Sequence, residues 1–347
     1  MNILYFLNYL FLINSIIIDS LKFNHILNIK KYNVNDNIID NNSILKNDLK
    51  KLSLLSKLIY EYDFVGDHII KNNYIISKNI DITKNLTLDF IEKNNIYFNL
   101  IQFITFLNNK DFLKNTNKYF DILNKKFPNT QIYGYFYNKN RLHSLILLNH
   151  KYKEIIVVFR GSQYIEEWFK NLYFNEKEIS FNKKFKIHGG IYNMYTNNDI
   201  DKNIIYILEN LFKYFPKYRK IFTGHSKGGS NSILLAVELL SKNKEKYNYE
   251  IYTFGSPQIF NYKFGMYLHN NNNIKIYNVI NDNDIITTLP LINKYHIGIQ
   301  VLLKKNDITV KTYDAPYKIN FDITKFYLSI LNHDLNMYIK NIYNDLI

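Results

Sequence analysis

Apolar positions recur at helical spacing over residues 45–62, where Leu52, Leu54, Leu55, Leu58 and Ile59 predict one buried face of a helix. Residues 97–107 carry a similar pattern. From about residue 93 the chain becomes regular. Short apolar runs at 145–148, 154–159, 220–223, 250–254, 275–280 and 297–303 predict strands. Between and after them, residues 203–215, 227–241 and 326–343 predict helices. Strands that alternate with helices predict an α/β fold, with a largely parallel central sheet and helices on both faces. No internal repeat interrupts this order.

The N-terminal part reads differently. Residues 1–18 are apolar but are broken by Asn2, Asn8 and Asn14, and no Lys or Arg precedes the run. Residues 1–20 are therefore expected to be a signal peptide or an uncleaved anchor, with a buried N-terminal helix as the bland alternative. That segment would make the protein secreted or membrane-associated. Residues 21–92 form an N-terminal extension to which the sequence assigns no chemistry, and residues 93–347 form the regular domain. Asn41 and Asn85 lie in glycosylation sequons, which chance also produces in an Asn-rich chain.

Composition narrows the chemistry. Among 347 residues there is no Cys, which excludes disulfide scaffolds, cysteine zinc sites, iron–sulfur clusters and thiol nucleophiles. The net charge is +14, but the lysines are scattered rather than clustered. With no zinc-finger, basic-zipper or RNA-recognition pattern, nucleic acid is not an expected partner. An anionic membrane surface remains compatible with the basic balance.

The sharpest local feature is Gly224-His225-Ser226-Lys227-Gly228-Gly229, set between a predicted strand and a predicted helix. This is the context that a G-x-S-x-G nucleophile elbow requires. The abrupt turn strains the middle residue and needs glycines where side chains would collide. Ser226 is thereby presented at the carboxyl edge of the sheet, and the Lys227 N–H opens the helix toward the same space, where it can stabilise an oxyanion. A Gly-rich loop that merely caps the helix is the alternative.

A serine needs a base, and the base needs a carboxylate. In this fold the order is Ser, acid, His. Asp282 and Asp284 follow the predicted strand 275–280, and of nine histidines His296 and His333 come after them. A loop-borne histidine returning to the sheet edge favours His333. His296 opens an apolar strand and is expected to be a packed structural residue, as is His225. The strand EIIVVF ends in Arg160-Gly161-Ser162, where Gly161 permits a tight turn and Ser162 supplies a second oxyanion donor. Beyond it Ile165, Trp168, Phe169 and Leu172 share one face of a short helix, read either as a packed surface helix or as a mobile lid.

With these residues in place, the chain resembles the class 3, fungal-type triacylglycerol lipases. VVFRGSQYIEEWFKNLYF is similar to the family's strand, oxyanion turn and lid, KIHGGIYNMY to its H-x-G segment, and FTGHSKGG to its elbow. YTFGSPQIFN, NDNDIITTLP, YHIGIQVL and NHDLNMY resemble further family segments, in family order. The resemblance implies an α/β-hydrolase fold and hydrolysis of lipid esters at a lipid–water interface, with no cofactor and no metal. It assigns Ser226 as nucleophile, Asp284 as acid and His333 as base, with Ser162 and Lys227 in the oxyanion hole. It also makes Ile165 to Leu172 the lid. Lys227 stands where the family usually has Leu, Thr287 where it has Pro, Gln300 where it has Glu and Phe260 where it has Gly. The expected activity is triacylglycerol lipase. The alternatives are a phospholipase A1 on anionic membranes and a catalytically inactive lipid-binding protein.

Overall fold

The computed structural model describes residues 34–38, 43–71, 98–99, 130–137, 143–162, 176–179, 182–196, 200–243, 246–290, 294–304, 307–319 and 331–343. Among them a ten-stranded sheet runs in the order β1-β12-β11-β10-β9-β8-β5-β4-β3-β2. Its centre is parallel: β5 (Glu154–Phe159), β8 (Arg219–His225), β9 (Tyr249–Phe254), β10 (Ile274–Asn281) and β11 (Ile299–Lys304) lie side by side. β5 is buried throughout and, after Glu154, is an uninterrupted apolar run, as a strand covered on both faces should be. Antiparallel strands complete both sides. β2 (Phe98–Asn99), β3 (Thr130–Tyr137) and β4 (His143–Asn149) extend one edge. β12 (Asp307–Tyr313) and β1 (Val34–Ile38) extend the other. A separate hairpin joins β6 (Glu176–Ile179) to β7 (Asn182–His188).

Two apolar layers sandwich the sheet. One packs α2 (Gly189–Thr196), α3 (Ile200–Tyr214), α4 (Lys227–Asn243) and α5 (Tyr262–His269) against it. The other packs α1 (Ser43–Lys71) and α6 (Leu335–Ile342) against the opposite face. The α/β architecture with helices on both faces is the one the alternating pattern predicts.

Two expectations change. The predicted helix over 97–107 is a strand where it is described: Phe98 and Asn99 pair antiparallel with Ile132 and Gln131. A short apolar run carries no periodicity strong enough to exclude an edge strand, and the free edge of β3 captures it. Second, the boundary expected at residue 93 is not a boundary in packing. β1 hydrogen-bonds along β12, and α1 buries Leu49, Leu52, Leu55 and Ile59 in the same layer as Val158, Phe254 and Val279. The apolar face read over 45–62 is buried because the central sheet is its other half. Residues 1–20, with the expected leader, lie outside the described residues, as do Asn41 and Asn85. Among the described residues no helix is long and apolar enough to cross a membrane.

Candidate active site

β8 ends in His225, and α4 begins two residues later, so Ser226 alone makes the turn. Its φ of 56° is in the left-handed region, a strained state for a residue with a side chain. The flanking glycines make this turn feasible. A Cβ on Gly224 would lie 2.4 Å from the Gly228 carbonyl carbon, and one on Gly228 would lie 2.2 Å from the Phe159 oxygen. The elbow is pinned by Ser226 N–H donating to the Phe254 carbonyl at 2.8 Å. Lys227 is the first residue of α4, so its N–H lies in the first turn of that helix, at the positive end of its dipole.

Asp284 follows β10 by three residues and is buried, whereas Asp282 is exposed. Its Oδ1 accepts the Ile286 N–H at 2.9 Å, which caps a 3₁₀ turn over Ile285–Thr288. Its Oδ2 accepts from His333 Nδ1 at 2.8 Å and from the Tyr338 phenol at 2.6 Å. His333 sits just before α6, whose N-cap is Asp334, and is itself buried. With Nδ1 committed to the carboxylate, its Nε2 is the ring nitrogen left for a substrate-side proton.

The elbow and the loop that carries His333 touch. The rings of His225 and His333 are 4.7 Å apart, and His225 Nε2 donates to the His333 carbonyl at 2.8 Å. The turn Arg160-Gly161-Ser162 closes on the same point, since a Cβ on Gly161 would be 3.2 Å from Ser226 Cβ. Ser162, the next residue, is part-buried. Ser226, Lys227, Ser162, Asp284 and His333, drawn from distant parts of the chain, thus gather at one end of β5, β8 and β10. Ile165, Trp168, Phe169 and Leu172 lie outside the described residues.

His296 stays apart from this acid–base pair, as expected of a packed histidine. Its Nε2 donates to the Thr287 carbonyl at 2.7 Å, and its ring stacks on Tyr317. Burial lowers its pKa to about 4, with the Thr287 bond and Asp284 acting the other way. Tyr338 is not singled out by the sequence, although it lies five residues beyond His333 in NHDLNMY. Burial, and then the Asp284 carboxylate, push its phenol far above the ordinary range, so it is a permanent donor. Among the described residues no cluster of His, Cys, Asp and Glu could hold a metal ion.

Residues 156–294 match the family model of the lipases of class 3. Over that stretch the chain is similar to the class 3 lipases. A lipase from Rhizomucor miehei is 29% identical over 140 residues, which is 40% of this chain and 38% of that protein. The secreted mono- and diacylglycerol lipase 1 of Fusarium solani is 25% identical over 152 residues, 44% of each chain. The chain thus matches under half the length of these two curated relatives. The fold is also that of the Rhizomucor miehei lipase propeptide complex, with a TM-score of 0.61 at 19% identity, over 88% of this chain and 82% of that one.

Proposed function

We propose that the protein is a serine-dependent carboxylic ester hydrolase acting on lipid esters, with triacylglycerol as its principal substrate. The observation that carries this reading is the 2.8 Å bond from His333 Nδ1 to Asp284 behind a serine held at positive φ. His333 Nε2 removes the Ser226 proton as Oγ attacks the ester carbonyl. Asp284 keeps the imidazole in the Nδ1–H tautomer and stabilises the imidazolium. The N–H groups of Lys227 and Ser162 receive the oxyanion. His333 then protonates the departing alcohol, and a water activated by the same base hydrolyses the acyl-enzyme.

The test is Ser226→Ala, for which turnover of a soluble ester should fall by about 10⁴–10⁶-fold. Labelling by a fluorophosphonate should vanish with it. Retention of most activity would overturn the assignment.

Substrate and interface are a second arm. Triacylglycerol emulsions should be cleaved faster than anionic phospholipid vesicles; the reverse preference would make the enzyme a phospholipase A1. The apolar residues Ile165, Trp168, Phe169 and Leu172 are proposed as a lid, for which rate should jump where a short-chain ester aggregates. Secretion through residues 1–20 is supported by the secreted Fusarium solani relative, and N-terminal sequencing of the mature protein tests it.

A further inference from the structure

The N-terminal helix reaches the candidate active site at one atom. Tyr60 Oη on α1 lies 2.8 Å from His225 Nδ1. The two rings are 5.9 Å apart and tilted at 59°. His225 Nε2 is in turn bonded to the His333 carbonyl at 2.8 Å in a buried setting. On the other side the Tyr60 oxygen packs against the backbone of Gly161, in the turn after β5. A Cβ on Gly161 would come within 2.3 Å of that oxygen, so the phenol fills the space that the glycine leaves.

The direction of each bond follows by elimination. A carbonyl oxygen only accepts, so His225 Nε2 carries the proton it gives to His333. Burial, reinforced by the neighbouring His333, keeps His225 neutral. Its Nδ1 is then bare, and the Tyr60 hydroxyl must donate to it. Burial likewise keeps the phenol protonated, against the opposing pull of Arg160. One polarity therefore runs from the Tyr60 hydroxyl to His225. His225 then hands a second bond to the backbone of His333.

We propose that Tyr60 is a positioning residue for ester hydrolysis: it locks the tautomer and orientation of His225, and through it couples the oxyanion turn to the loop that carries the base. This inference rests on the hydrolase reading above. Tyr60 touches neither substrate nor the reacting atoms. Its effect is geometric, because the Ser162 N–H follows directly from Gly161 and the His333 ring hangs from the carbonyl that His225 holds. Residues from α1, the turn after β5, the end of β8 and the loop before α6 are registered by one hydroxyl.

The test has two parts. In the unaltered protein, imidazole ¹⁵N resonances should show His225 as the Nε2–H tautomer at neutral pH; an Nδ1–H tautomer overturns the proposal, and this measurement needs no variant to fold. In Tyr60→Phe, which keeps the ring, kcat per fluorophosphonate-titrated site should fall about tenfold or more with KM changed less than about twofold, and the rate of phosphonylation should fall with it. A kcat per titrated site within about twofold of the parent overturns the proposal, as does a loss confined to the number of titratable sites. Failure of the hydrolase reading shows separately, as activity retained by Ser226→Ala with the His225 tautomer unchanged.

Discussion

The phenol of Tyr338 donates to Oδ2 of Asp284 over 2.6 Å, the same oxygen that accepts from His333. Two donors on one oxygen fix the carboxylate against rotation and hold its charge where an imidazolium would form. Tyr338→Phe retains the ring in its apolar site and deletes one donor. A hydrogen bond to a charged group contributes about 1.5–3 kcal/mol, so stability should drop by that order. Turnover should fall several-fold with KM unchanged. Steady-state kinetics beside urea denaturation check both.

Gly161 allows no side chain. The 2.3 Å approach to Tyr60 and a 2.5 Å approach to the His225 carbonyl leave a methyl group nowhere to go. Gly161→Ala should displace the oxyanion turn, costing about 1–3 kcal/mol in overpacking and on the order of 10²-fold in turnover. Thermal denaturation and the rate on a soluble ester measure the two losses.

Acid should unfold the protein through its buried histidines before most carboxylates titrate. Burial holds His296 at about 4 and His143 at about 3, with Lys227 further depressing His143. In the unfolded chain both bind protons near pH 6.5. The unfolded state therefore holds more protons between about 6.5 and 4, and stability falls as pH drops through that window, by roughly 1.4 kcal/mol per pH unit for each. Above about pH 6.5 this contribution is fully present. Urea midpoints at pH 7, 6 and 5 should decline, and His296→Gln should flatten the decline.

Arg219 sits at the other end of the sheet from the candidate active site and binds α1 there. Its guanidinium reaches Asp48 at 2.7 Å, Glu250 at 2.6 Å and Glu154 at 3.0 Å. Lys51 bonds Glu154 at 2.6 Å and Asp48 at 3.0 Å. Because Asp48 and Glu154 are buried, removing the guanidinium leaves them desolvated, held by Lys51 and, at Asp48, by the Tyr252 hydroxyl. Arg219 itself is partly exposed, so Arg219→Met should cost about 2 kcal/mol, below the usual range for a fully buried pair. Activity on a soluble ester at low temperature should be unchanged.

What could be read from the chain follows the range of the interactions. The elbow is local: strand, Gly224, Ser226, Gly228 and helix are contiguous, and the sterics that require them act within a few residues. Asp284 and His333 follow from chain order and from the strand and helix beside them, although only the fold brings them together. Tyr60 was illegible because its partner His225 lies 165 residues away and nothing near a tyrosine marks it as a donor. β12 alternates polar and apolar residues, but as a flanking strand it carries no buried run to draw notice. β3 contains Gly134 at a break in register, which hides its periodicity. At Phe98 and Asn99, pairing with a neighbour decided what local pattern left ambiguous.

The docking of α1 also limits how the protein can mature. A processing protease that cut beyond Tyr60 would not trim an appendage; it would peel Leu49, Leu52 and Ile59 from the face of the sheet and remove the hydroxyl that His225 bonds. Any cut that leaves the sheet covered on this face must therefore lie upstream of this helix.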